Sequence, residues 1–417
     1  MNVKNLNILS SSICNLNCSY CYVPRMNKIK NLQTEINCYL SDFSFVKKIK
    51  DFYTFDSPIS LGLWGAEPTL NLDNTFSFIQ NLLNVVEISS VTLSSNFTTD
   101  LEHIFKFIEQ LKTLHKKIDF SFQISIDGPD FITDMNRGIK TFEKIDKNLD
   151  YFIEYLNRTD LENITLRLSN KATWSKDTLI FLDKNLNKIN DIDIFYSEFI
   201  SKVNKIKNKN VISEFSKYAN MSTSDNYTKE NGIQLSNILK YLEKNNYGIG
   251  VIGYYDTRFK MVLEENVFKK FYNITCSALK NSISIGLDYS SHLCHRTFFS
   301  DVYESDEKSI ITHQHFSNHD NNTKTFSVSS YHLFPKIGYN INTNNIIELA
   351  RSGEIDKKYL DSSNASLLSY FSILSFLCPV ESFLQTSCFH SIPIPIIKLL
   401  GNGALEIISK RYFHGKK

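Results

Sequence analysis

The sequence predicts an α/β protein, a partial (β/α)6 barrel of the TIM type followed by a C-terminal region of different character. Three observations carry that prediction. Residues 1–200 alternate short β-rich runs with longer amphipathic runs, at a period of about thirty residues that suits βα units. The joins between runs are short. Residues of unusual chemistry follow the β-rich runs, which in such a barrel places them on one rim, at the C-terminal ends of the strands.

Each unit can be justified in turn. A strand over 6–11 leads into Cys14, Cys18 and Cys21. A strand over 59–64 leads into Gly65-Ala66-Glu67-Pro68, and one over 91–95 into Asn96. The fourth, 120–126, precedes Asp127-Gly128-Pro129. The fifth, 164–169, ends at Ser169-Asn170, and a sixth over 192–198 carries Tyr196 and Glu198 at its end. Helices are expected near 36–53, 71–86, 99–115, 139–157 and 174–188, where apolar residues recur at helical spacing. The expected division is a barrel domain over 1–205, a linker with surface helices over 206–270, and a separate C-terminal domain over 271–417. Residues 248–253 spell GxGxxG, but no strand precedes them and no helix follows, so a nucleotide role is weakly signalled. His313, His315 and His319 fall in a polar stretch that reads as a solvated loop.

Composition excludes several classes. With 42% hydrophobic and 22% charged residues, the 417-residue chain can bury a sizeable core. A formal charge of +2 leaves no basic excess to track a phosphate backbone, so no nucleic-acid partner is expected. The least polar stretch, 367–380, is interrupted by Ser and Pro and is too short for a membrane span. The N-terminus has no apolar signal core, so the expected location is cytoplasmic.

Eight cysteines lie at 14, 18, 21, 38, 276, 294, 378 and 388. In a large chain without a signal peptide they read as metal ligands or catalytic groups rather than disulfides. Cys14, Cys18 and Cys21 fit on one short loop. Three thiolates on a cubane iron–sulfur cluster leave one iron open for an exogenous ligand. A structural zinc site is the alternative and needs a fourth ligand, for which Cys38 is the nearest candidate. Cys38 itself lies in a predicted helix among apolar residues and reads as core.

The spacing Cys-x3-Cys-x2-Cys, with Tyr20 before the last cysteine, resembles the radical S-adenosylmethionine (radical SAM) superfamily. That resemblance implies a [4Fe–4S] cluster on Cys14, Cys18 and Cys21. Its open iron would chelate SAM, whose reductive cleavage gives a 5′-deoxyadenosyl radical. Gly65-Ala66-Glu67-Pro68 resembles the family's Gly-Gly-Glu-Pro motif, implying that Gly65, Ala66 and Glu67 hold the SAM ammonium. Ala in place of the second Gly requires a negative φ there. Asn96 resembles the strand end that contacts the ribose, although an Asx turn capping a helix at 99 explains it equally. The block from Ser125-Ile126-Asp127-Gly128-Pro129 to Arg137-Gly138 resembles one shared by sulfatase maturases and peptide-modifying radical SAM enzymes. It implies that Ser125 and Asp127 reach ribose or substrate and that Arg137 pairs with the SAM carboxylate; a turn and helix start is the bland alternative. Ser169 is a further ribose candidate.

Cys276, the β-rich run 282–287 and Cys294 suggest a hairpin with a cysteine at each end. This resembles the opening of the cysteine-rich SPASM, or shorter twitch, extension of those maturases. Two SPASM clusters would need more cysteines than remain. The resemblance therefore implies one auxiliary [4Fe–4S] cluster on Cys276, Cys294, Cys378 and Cys388, with unligated thiols and zinc as alternatives.

The expectation is thus a radical SAM peptide maturase. It would abstract a hydrogen from a ribosomally made precursor peptide, which is then crosslinked, epimerised or oxidised. A flavodoxin- or ferredoxin-like reductant would supply the electron. Because the chain starts at the first barrel strand, leader recognition would fall to the enzyme itself or to a separate protein. The rivals are a sulfatase-type formylglycine maturase, a radical SAM enzyme acting on a small molecule, and a non-catalytic cluster or zinc scaffold.

Overall fold

The computed structural model describes residues 2–21, 23, 32–114, 116–222, 225–251, 282–285, 290–292, 313–315, 348–357, 394–404 and 407. Five parallel strands form the centre: β1 (Asn2–Ser11), β2 (Thr54–Gly65), β3 (Ile88–Ser95), β4 (Ile118–Ser125) and β5 (Ile164–Trp174). Between them run α1 (Leu32–Ser41), α2 (Phe43–Phe52), α3 (Leu72–Leu83), α4 (Leu101–Lys112), α5 (Asp130–Arg137) and α6 (Thr141–Arg158). The helix starts are written locally. Asp42 caps α2 by accepting from the Ser44 N–H, and Asp100 caps α4 by accepting from Glu102.

Alternation sets the two faces of the sheet. In β4 Phe120, Phe122 and Ile124 are buried, while Ser121, Gln123 and Ser125 are half-buried. Leu61 and Leu63 of β2, Val91 and Leu93 of β3, and Leu166 and Leu168 of β5 share the buried face. They form one core with Phe76 and Ile79 of α3, Ile104 and Phe107 of α4, and Leu149 and Phe152 of α6. Burying each such side chain contributes about 1.5–3 kcal/mol. That is what covers this face with helices and leaves the other face polar.

The sixth unit differs from the sequence expectation. Residues 192–198 belong to a helix, α8 (Lys188–Val203), which follows α7 (Lys176–Lys184). Ile189, Ile192, Tyr196, Phe199 and Val203 are its buried residues, and their spacing of three and four is helical. The alternation Ile192-Asp193-Ile194 imitates a strand within it. The edge beyond β5 is built instead by β6 (Val211–Ser213) and β7 (Tyr218–Met221), both parallel to β5, with β8 (Gly250–Val251) beside β7. Residues 206–251, expected as linker and surface helices, thus supply sheet strands. They also supply α9 (Lys229–Lys244), whose Leu235, Ile238, Leu239 and Leu242 are fully buried. In the GxGxxG stretch, Gly250 is a strand residue whose missing Cβ makes room for the Tyr218 ring.

On the other side of β1 the sheet continues with β9 (Ser282–Ile285), which pairs parallel to β1. β10 (Ser290–His292) pairs antiparallel to β9, and β11 (His313–His315) antiparallel to β10. The expected hairpin exists, and it extends the barrel sheet. His313 and His315 lie in a strand rather than a loop. A second core joins Trp174 of β5, α7, α8 and α9 with a C-terminal helix, α10 (Ile394–Leu400). No described helix is long and apolar enough to cross a membrane.

Candidate active site

The cysteine segment leaves β1 at Ser11 and stays on the C-terminal rim. Backbone bonds fix its path: the Ala66 N–H donates to the Ser11 carbonyl and the Glu67 N–H to the Ile13 carbonyl, both at 2.9 Å. Farther along, the Ser19 N–H donates to the Asn136 carbonyl at 2.9 Å, and the Cys21 N–H closes a turn on the Cys18 carbonyl. Gly65 has φ +147°, and a Cβ there would strike the Ser11 carbonyl, so only glycine fits at this crossing. Ala66 is not among the residues with positive φ, which is the condition its side chain requires.

Glu67 is almost wholly buried. Its Oε2 accepts from the Asn96 N–H at 2.7 Å, and its Oε1 accepts from the Thr69 hydroxyl at 2.6 Å and the Thr69 N–H at 3.2 Å. Burial pushes its carboxyl pKa up, against the pull of these donors. The carboxylate thus ties the β2 loop to the end of β3. Asn96 makes an Asx turn, its Oδ1 accepting from the Thr98 N–H at 2.9 Å, while Asp100 is the true cap of α4. Its Nδ2 donates to Asn15 Oδ1 at 2.8 Å and approaches Cys14 Sγ at 3.6 Å. The next residue, Phe97, has φ +57°, a left-handed conformation that costs about 1–3 kcal/mol. Its fully buried ring, packed on Phe122 and Phe152, offsets that cost and fixes Asn96.

Asp127 and Arg137 form a buried pair. Arg137 Nε and Nη2 each donate to one Asp127 oxygen at 2.9 Å, a bidentate fork. The same carboxylate accepts from the Tyr20 hydroxyl at 2.9 and 3.1 Å and from the Thr173 N–H at 2.9 Å. The guanidinium also lies 5.6 Å from the Tyr20 ring centroid, within cation–π range. Beside the Asp127 carboxylate the Arg137 pKa stays raised, against the lowering by burial. Burial pushes the Tyr20 hydroxyl up as well.

Of the residues nominated from sequence, Gly65, Ala66, Ser125 and Ser169 are half-buried at the surface of this region. Ser169 sits within β5, in register with Gln123, because β5 runs on to Trp174. Tyr196 is on α8, buried, with its hydroxyl 3.3 Å from the Asp127 carbonyl, and Glu198 is exposed. Cys38 is exposed, contrary to expectation: α1 buries Leu32, Ile36 and Leu40, and Cys38 falls on the opposite side of the helix. Cys276, Cys294, Cys378 and Cys388 lie outside the described residues.

Sequence reasoning missed Trp64. It is a large aromatic on the polar face, half-buried, with its Nε1 donating to Asn7 Oδ1 at 2.8 Å. Asn7 Nδ2 in turn donates to Ser282 Oγ and Ser284 Oγ at 3.1 and 3.2 Å, joining β1 to β9. A Cβ on Gly62 would strike both Asn7 Oδ1 and Trp64 Nε1. Gly62 two residues before Trp64 on a strand was the signal available.

Burial pushes Cys14 up, and burial, against the opposing Arg137 charge, pushes Cys18 up to about 12. Binding iron as thiolates relieves that cost, so loading releases protons. Among the described residues no three His, Cys, Asp or Glu side chains gather around one point fit for a single ion. A cubane seats each thiolate on a separate iron and does not require them to meet at one point. The donor set therefore fits a cluster.

The C-terminal strand rim thus carries three thiols on one loop, beside the buried carboxylates of Glu67 and Asp127. Residues 8–166 match the family model of the Radical SAM superfamily. The family implies a [4Fe–4S] cluster and SAM. Among solved structures the chain is similar to native anSMEcpe with bound AdoMet, with 18% identity, a TM-score of 0.46, and coverage of 74% of this chain and 82% of that one. It is also similar to anSMEcpe with bound AdoMet and the Cp18Cys peptide, at 16% identity and TM-score 0.45, covering 75% and 83%. SuiB of Streptococcus suis bound to the precursor peptide SuiA gives 14% identity and TM-score 0.42, covering 74% and 64%. No curated protein matches the chain.

Proposed function

We propose that this protein is a radical SAM peptide maturase of the cytoplasm, which abstracts a hydrogen from a ribosomally made peptide so that the peptide is crosslinked, epimerised or oxidised. The observation that carries the reading is the cysteine loop, with Cys14, Cys18 and Cys21 on the rim beside a polar, half-buried sheet face. The peptide substrate class rests on the Ser125–Gly138 block. When bound, the cluster and SAM supply a 5′-deoxyadenosyl radical.

The chain's own residues provide the setting. Cys14, Cys18 and Cys21 hold the cluster. The Gly65 and Ala66 backbone, with Ser125 and Ser169, lies where SAM can be contacted from the polar face. Glu67, Asn96, Tyr20, Asp127 and Arg137 shape that site while their polar atoms are engaged within the protein. The core behind the sheet excludes water from one side. The assignments of one auxiliary [4Fe–4S] cluster to Cys276, Cys294, Cys378 and Cys388, of a twitch- or SPASM-like domain over 271–417, of an external flavodoxin- or ferredoxin-like reductant and of a separate leader-recognition protein belong to the same proposal.

The test uses reconstituted protein, dithionite, SAM and pools of deuterated short peptides. Deuterium transferred into 5′-deoxyadenosine is expected with a substrate peptide. SAM cleavage without transfer from any peptide would overturn the substrate class and leave the superfamily assignment standing.

A further inference from the structure

We infer that the cysteine loop is held by two independent clamps, and that Asp127 is the positioning residue of the second, acting through Tyr20 instead of contacting SAM. The inference rests on the reading that this loop carries the cluster. It goes beyond that reading by assigning motif residues to the loop itself.

The first clamp grips the Cys14 end. Asn15 Nδ2 donates to the Thr98 hydroxyl at 2.9 Å, and Asn96 Nδ2 returns a bond to Asn15 Oδ1 at 2.8 Å. Thr98 is itself tied to Asn96 Oδ1 through both its N–H and its hydroxyl. Glu67 holds the Asn96 backbone from beneath. All of these groups belong to the β2 and β3 ends.

The second clamp grips the Cys18–Cys21 end. Tyr20 donates its hydroxyl to both Asp127 oxygens, and the Ser19 N–H bonds the Asn136 carbonyl. These partners belong to the β4, α5 and β5 ends. Asn136 is fixed by the start of α7, its Oδ1 accepting from the Ser175 hydroxyl at 2.8 Å and its Nδ2 donating to the Thr178 hydroxyl at 3.1 Å. Asp127 is fixed by the Arg137 fork and the Thr173 N–H. With Asp127 fully buried and its oxygens taken by four donors, the carboxylate serves the protein and not a ligand. Among the described residues, the side-chain bonds of one clamp reach no residue of the other, so each end of the loop can loosen alone.

The test is site-resolved alkylation of the metal-free, reduced full chain with iodoacetamide. Fragment-ion mass spectrometry reads Cys14, Cys18 and Cys21 separately, and exposed Cys38 on α1 is the internal reference. Cys18 and Cys21 are half-buried, so their labelling follows the population of the opened loop, whereas Cys14 is already exposed. Tyr20→Phe keeps the ring over Arg137 and removes only the hydroxyl bond to a carboxylate. It is expected to raise labelling at Cys18 and Cys21 about tenfold and to leave Cys14 within about twofold. Asn15→Ala, which loosens only the other end, is expected to leave Cys18 and Cys21 within about twofold of wild type. Thermal unfolding checks that each variant is folded.

A uniform rise at all three thiols in either variant would overturn the two-clamp inference, as would unchanged labelling in both. Anaerobic reconstitution gives a second readout: faster iron loss to a chelator in Tyr20→Phe supports the inference, and loss at the wild-type rate contradicts it. If wild-type protein takes up no iron at all, the radical SAM reading fails while the labelling pattern still decides the clamps.

Discussion

Replacing Asp127 by Ala tests the buried junction most severely. Asp127 is fully buried and Arg137 is 6% exposed, so the variant leaves a guanidinium without its partner in the interior. Breaking a buried ion pair from one side costs about 3–5 kcal/mol. The Tyr20 hydroxyl and the Thr173 N–H also lose their acceptor, each worth about 1 kcal/mol. The terms overlap because they share one carboxylate, so the expected loss is about 4–6 kcal/mol. That is a large part of the roughly 5–15 kcal/mol by which a domain is stable. The assay is urea unfolding of metal-free protein followed by tryptophan fluorescence. Buried Trp174 is a local reporter, since its Nε1 donates to the Asp127 carbonyl at 3.2 Å. Asp127→Ala combined with Arg137→Met removes both charges and is expected to recover more than half of the loss, as apolar replacements of buried pairs do. A loss below about 1 kcal/mol, or a double variant no more stable than the single, would refute the reasoning.

Three further predictions follow from the site. Gly62→Ala places a methyl against Asn7 Oδ1 and Trp64 Nε1, and is expected to cost about 1–3 kcal/mol and to shift Trp64 emission, read by denaturation and fluorescence. Gly65→Ala forces a positive φ on alanine at the Ser11 crossing and is expected to lose about 2 kcal/mol or more of stability and to slow iron uptake by the loop, measured in parallel samples. For Glu67 the folded pKa is raised above its ordinary value of 4.5, so the folded state binds the proton more tightly than the unfolded state. Its stabilising contribution is then full below pH 4.5 and declines as pH rises through the folded pKa, so wild-type stability relative to Glu67→Gln should fall as the pH is raised above 4.5. A relative stability that rises over that range would contradict the raised pKa.

The parts of the fold with strong local signals were legible in the sequence. The alternation in β4 and the cap residues Asp42 and Asp100 mark their elements without reference to the rest of the chain. The sixth unit was not legible, because Ile192-Asp193-Ile194 alternates like a strand and only the tertiary core shows that Ile192 is buried at helical spacing. The short strands β6 and β7 carry too few residues for a period to show. At the site, sequence reasoning found the residue types and placed them on one rim. It assigned Glu67, Asn96, Asp127 and Arg137 to SAM or substrate from their resemblance to family motifs. The bonds of Asn96 to Asn15 and of Asp127 to Tyr20 and Thr173 join positions 46 to 107 apart, which no local pattern encodes.

The central claim is that Cys14, Cys18 and Cys21 hold the cluster that cleaves SAM. It is tested by anaerobic reconstitution of wild type and of a Cys14/Cys18/Cys21→Ala variant, with iron and 5′-deoxyadenosine measured in the same samples. The account predicts that the variant loses about four irons and all reductive SAM cleavage. Zinc in place of iron in wild type, or cleavage that survives the triple substitution, would contradict it.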